Sequence, residues 1–277
     1  MRLRLPMPLR RLLVLTLLSA GPALAAGAPP TKSSELSRLD PAMGVNPAAA
    51  DNLDWHDVTS WGVEGRAFGD RQRWFDRLPA AAEKTVTSAV WKLSRDSAGM
   101  MARFKTDATA IHVDYGLYRD RLSLPHMPAT GVSGVDLYAR DAAGKWRWVK
   151  VTKPAAQVVK AEIIRGLAPG FRKFAAYLPL YNGVEYLRIG VPRGARFEGQ
   201  TPRAQPIVFY GTSITHGACA SRPGMVHTAI LGRRFDRPVV NFGFSGNGRM
   251  DTAVGDYLIR IDAAVYVIDC LPKMQPK

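Results

Sequence analysis

Cysteine is scarce in this 277-residue chain: there are two, Cys219 and Cys270. Two cysteines cannot knit a disulfide scaffold, and their spacing does not suggest a metal site. Whether they pair or stay as free thiols is left open by the sequence. Histidine is also rare, with five residues: His56, His112, His126, His216 and His227. Basic residues outnumber acidic ones by 38 to 23, a formal charge of +15. They are scattered without a run, which describes a solvated surface rather than a nucleic-acid footprint, so no nucleic-acid partner is expected. No apolar stretch is long enough to span a bilayer. What is present is a globular balance, 47% hydrophobic and 22% charged residues, at a length that allows two domains.

The amino terminus carries a targeting pattern. Arg10 and Arg11 precede the apolar run Leu12–Leu18, and Ala23-Leu24-Ala25 supplies small residues for cleavage. Residues 1–25 therefore read as a secretory signal, with a periplasmic or secreted mature protein and no stable membrane anchor after cleavage. Residues 26–50, rich in Ala, Pro and Ser, read as a linker.

Residues 51–199 show period two. Ile111, Val113 and Tyr115 alternate with His112 and Asp114; Val135, Leu137 and Ala139 alternate with Asp136, Tyr138 and Arg140; Leu187, Ile189 and Val191 alternate with Arg188 and Gly190. Such short strands predict an antiparallel β-sandwich, jelly-roll-like, with little helix. Asn182-Gly183 between two apolar runs predicts a hairpin turn. All six tryptophans fall here. Tryptophan can stack on sugar rings, but it also fills small cores, and Trp146 and Trp148, on one side of their strand, are read as core.

Residues 205–277 change period. Ile207–Tyr210, Pro238–Phe242 and Ala263–Ile268 read as strands; Met225–Phe235 and Met250–Ile261 read as helices. Strand, helix, strand, helix, strand describes two crossovers and a parallel sheet. A doubly wound sheet of this kind has about five strands, so this is its first half, with the third strand predicted to lie open as an apolar, aggregation-prone edge.

Ser213, just past the first strand, sits where open α/β sheets place their chemistry. Gly211-Thr212-Ser213 after one strand and Asn241-Phe-Gly-Phe-Ser-Gly246-Asn247 after the next resemble the first two sequence blocks of the SGNH (GDSL-like) hydrolases, within a bacterial subgroup that carries an amino-terminal β-sandwich. The resemblance implies a flavodoxin-like three-layer α/β domain and ester hydrolysis, often deacetylation of carbohydrate. Carried over by motif position, Ser213 is the nucleophile, and its own N–H and that of Gly246 hold the oxyanion. The family's third oxyanion donor is an asparagine; Lys273 stands there, a flexible point charge instead of a fixed amide. The family's base is a histidine with an aspartate three residues before it, and no histidine of this chain has one. His216, three residues after Ser213, lacks a group to orient it as a triad base.

The expectation is therefore a secreted serine esterase, C-terminally truncated and weakly active or inactive, acting on a small-molecule or polysaccharide acyl ester. No cofactor or metal is implied. The alternative is a non-catalytic glycan-binding sandwich carrying a vestigial hydrolase remnant.

Overall fold

The computed structural model describes residues 52–274. The expected signal segment and linker lie outside the described residues. Strands β1 (Leu53–Asp57), β3 (Ala110–Leu117), β6 (Val158–Arg165) and β8 (Val184–Pro192) form one antiparallel sheet in the order β1-β8-β3-β6. Strands β2 (Met101–Thr106), β4 (Asp136–Arg140), β5 (Trp146–Val151), β7 (Arg172–Tyr177) and β9 (Phe197–Gln200) form a second, in the order β5-β4-β7-β2-β9. The alternation read in the sequence is what joins them. Ile111, Val113 and Tyr115 meet Phe104, Leu137, Phe174, Leu187 and Ile189 in one cluster between the sheets.

The Asn182-Gly183 segment is not a hairpin. β7 and β8 on either side of it belong to different sheets, and neither residue takes the positive φ that the expected turn requires. Asn182 is instead fully buried. Its amide accepts from the Arg119 N–H and donates to the Arg119 carbonyl and to the Ser133 hydroxyl.

The inner strands of the five-stranded sheet, β4, β7 and β2, are covered on both faces over most of their length, which period two does not reveal. Asp136 and Tyr138, expected to face solvent, are buried. Their side packs with Ala98, Tyr177 and Leu180 against Val226 and Ala229 of the segment following the sandwich. The Asp136 carboxylate accepts from Gly224 N–H at 2.8 Å and from Trp148 Nε1 at 2.9 Å. Trp148 is not a core residue as expected: it is 50% exposed, with the Arg222 guanidinium 4.4 Å from its ring centroid.

Beyond the joint, β10 (Ile207–Gly211), β11 (Val239–Gly243) and β12 (Val265–Asp269) form a parallel sheet in the order β11-β10-β12. The first strand is central, as in the flavodoxin-like doubly wound order. Ile207, Phe209 and Val239 pack with Leu231 of α4 (His227–Phe235) on one face. On the other, Val208, Tyr210, Val240 and Phe242 meet Val254, Tyr257 and Leu258 of α5 (Thr252–Leu258). That second face is also covered by Phe68, Leu78, Ala82, Val90 and Trp91. These come from the region between β1 and β2, which holds α1 (Ser88–Ser94) and no strand; the short α2 (Ala129–Val132) lies later, between β3 and β4. A parallel sheet needs both faces covered, and here a segment remote in sequence supplies part of the cover.

Candidate active site

β10 ends at Gly211, and Thr212 is extended (φ −92, ψ −151) before Ser213 opens the short helix α3 (Ser213–His216). The abrupt strand-to-helix change lifts Ser213 to the carboxyl edge of the central strand, where it is half-buried beside an exposed Ile214. Gly217 closes the turn, its N–H and that of Ala218 both donating to the Ser213 carbonyl.

The Gly243–Gly248 stretch crosses that edge. Phe244 N–H donates to the Gly211 carbonyl at 2.9 Å. A Cβ on Gly248 would lie 2.0 Å from the Gly211 oxygen, and one on Gly243 would lie 2.0 Å from the His216 amide nitrogen. Glycine is thus required where the loop grazes the Ser213 turn. Gly246 takes φ +76 with open space around it. Asn241 ties β11 to α3: its amide donates to the Thr215 carbonyl at 2.7 Å and its Oδ1 accepts from Gly243 N–H. Tyr181, reaching over from the sandwich, donates its hydroxyl to the Ser213 carbonyl at 3.4 Å.

Lys273 lies exposed in a 3-10 turn, Leu271–Lys273, after β12. His216 points away from chemistry. It is fully buried, its Nε2 lies 2.7 Å from the Leu180 carbonyl and its ring stacks on Tyr181 at 4.1 Å. Burial first, and the charges of Arg77 and Arg119 after it, hold its pKa well below 6.5, against the pull of the Leu180 bond. The other histidines are placed elsewhere: His56 stacks on Phe197, His112 lies 3.7 Å from Glu162, His126 is exposed, and His227 meets the Phe209 ring at α4. Both cysteines are free, Cys219 exposed and Cys270 buried.

Sequence reading missed the charged layer beneath the site. Arg77, Asp96 and His216 are all buried. Asp96 lies 3.7 Å from His216 Nε2 and accepts from Arg119 at 3.0 Å. Burial raises the Asp96 pKa, opposed by Arg119 and Arg77. No local motif announces these contacts.

Two family models match the chain in succession. Residues 53–197 match the amino terminus of SGNH-hydrolase-type esterases, a model named GxDLY, which is spelled here at Gly134-Val-Asp-Leu-Tyr138. Residues 204–277 match the GDSL-like lipase/acylhydrolase family. A solved structure described as a GDSL-like lipase from Bacteroides ovatus ATCC 8483 is similar at 32% identity and TM-score 0.76, over 81% of this chain and 66% of that one. The salicylyl-acyltransferase SsfX3 from a tetracycline biosynthetic pathway shares the fold at 18% identity and TM-score 0.57, over 80% of this chain and 60% of its own. The chain thus spans less than two thirds of either relative's length. No curated protein matches it. With more than half of its length matched by the first model and most of the rest by the second, the chain belongs to the SGNH-type esterase family of GDSL-like hydrolases.

Proposed function

We propose that the protein is a periplasmic or secreted serine esterase that removes acyl groups, acetyl above all, from carbohydrate. The observation that carries this reading is the seat of Ser213 at the carboxyl edge of β10 with the Gly246 loop packed over the same turn. In this reading the Ser213 hydroxyl attacks the ester carbonyl. The amides of Ser213 and Gly246 receive the negative charge that develops on its oxygen; losing one such donor costs about 100- to 1000-fold in rate. The attacking hydroxyl must give up a proton, and no histidine here is hydrogen-bonded to it. Serine at its own pKa is a poor nucleophile, so residues 26–277 alone turn over ester weakly or not at all. Lys273 adds, at most, a mobile positive charge.

A fluorophosphonate probe tests the assignment. Slow labelling at Ser213, lost in Ser213→Ala, is the expected result, because no base activates the hydroxyl; labelling elsewhere, or none after prolonged exposure at high probe concentration, defeats it. Fast hydrolysis of a chromogenic acetyl ester, abolished by Ser213→Ala, would refute the weak-turnover claim. The half-exposed Trp148 favours a second reading, a glycan-binding sandwich without catalysis. Glycan binding without probe labelling would select it.

A further inference from the structure

Arg77 is the largest fully buried side chain among the described residues, and the reaction proposed above does not use it. It sits between β1 and α1, remote in sequence from the hydrolase strands, and spends its donors on main-chain carbonyls. Nε donates to the Asp96 carbonyl at 2.9 Å and Nη2 to the Leu93 carbonyl at 2.6 Å. Nη1 donates to the carbonyls of both Asn241 (2.9 Å) and Gly243 (2.8 Å).

Those last two acceptors lie two residues apart on β11, the outer strand on its side of the parallel sheet. Carbonyls two apart point the same way, and the ladder to β10 uses the opposite edge. The guanidinium therefore stands where a further strand would otherwise pair. At Gly243 the backbone is held from two directions. Arg77 grips its carbonyl, while α3, which carries Ser213, approaches so closely that a Cβ there would overlap the His216 amide. Phe244, the next residue, has its ring centroid 5.0 Å from the same guanidinium. Asp96 and Asp76 supply opposing charge, and burial lowers the arginine's pKa only to about 10, so it stays protonated at neutral pH.

We propose that Arg77 is a positioning residue, which fixes the carbonyls of Asn241 and Gly243 and thereby the backbone turn that presents the Gly246 amide toward Ser213. The proposal rests on the oxyanion reading of Gly246. Lysine cannot replace the fork, because one ammonium cannot reach four carbonyls spread over two separate segments.

The test is amide exchange in the full chain, which needs no turnover. In Arg77→Lys, the amides of residues 244–248 should exchange about 10- to 100-fold faster, with those of β3 and β8 unchanged. In Arg77→Ala, added methylguanidinium should restore slow exchange. Phosphonate labelling of Ser213 should fall in its maximal rate, not in its half-saturating probe concentration, and recover with methylguanidinium. A folded Arg77→Lys chain with unchanged exchange at 244–248 overturns the proposal. If neither variant folds, the wild type decides. Arg77 guanidinium protons should exchange slowly and show scalar coupling to the Asn241 and Gly243 carbonyl carbons; exchange at the rate of a free arginine overturns it. Failure of the wild type to label at Ser213 defeats the esterase reading alone, and the exchange experiment still judges Arg77.

Discussion

Strands β11 and β12 flank the same central strand in matched parallel register, Val239 and Val265 both opposite Ile207. Their surroundings differ. All five residues of β11 are buried. On β12, Val265, Tyr266 and Ile268 are 51%, 44% and 49% exposed. Beside it lies an apolar groove of about 390 Å³, bounded by Met250, Ile259, Tyr266 and Ile268. The ladders are equivalent, so hydrogen bonding does not separate the two strands. Cover does. On the β11 side the region between β1 and β2 contributes Phe68, Leu78 and Val90 as packing and Arg77 as an edge cap; on the β12 side nothing among the described residues does the same. The amino-terminal region is therefore part of the α/β core, not an appended module.

The comparison can be broken most severely at Phe242, which is fully buried. Phe242→Ala should cost about 3–5 kcal/mol, whereas Ile268→Ala should cost less than about 1 kcal/mol. Urea unfolding of both variants measures the contrast; similar losses would mean that β12 is covered in solution.

The covered side also buries titratable groups. Burial raises the Asp136 pKa to about 6, against the bonds from Gly224 and Trp148. An acid with a raised folded pKa favours the fold most below its unfolded value. Stability should thus fall as pH rises from about 4 to about 6, by up to about 3 kcal/mol. His216 acts in the opposite sense. Its pKa is lowered, so its contribution is complete above about 6.5 and is lost as pH falls below that value. Asp136→Asn should remove the first slope and His216→Gln the second, read from denaturant unfolding across pH 4–8.

Gly243→Ala inserts a methyl group against α3 and should cost about 1–3 kcal/mol. Gly255→Ala in α5, with nothing near its Cβ, should stabilise by about 0.5–1 kcal/mol. The smallest expected change in folding free energy is at the open edge. Ile268→Lys should leave stability within about 0.5 kcal/mol yet lower concentration-dependent association in sedimentation.

Much of this was legible before the structure. Period two marked the sandwich strands, and the switch of period after Gln205 marked the parallel sheet. The break at Gly211-Thr212-Ser213 marked the turn after the first parallel strand, but the close crossing of loop and turn at Gly243 and Gly248 came only from the structure. Asn182-Gly183 misled because a turn signal describes local dihedral preference, and here a buried amide's partners on Arg119 and Ser133 outweighed it. Asp136 misled because alternation assumes one dry face, whereas this sheet has two.

The sequence by itself determined that antiparallel strands precede Gln205 and parallel ones follow it, and where a serine emerges after the first parallel strand, because these follow from side-chain period and from the break at Gly211. Only the tertiary structure decided that Arg77 caps β11, that His216 is locked onto Leu180 and that Tyr181 bridges to Ser213. Those contacts join residues tens to more than a hundred positions apart, and their energies come from burial, which exists only once the sheets have packed.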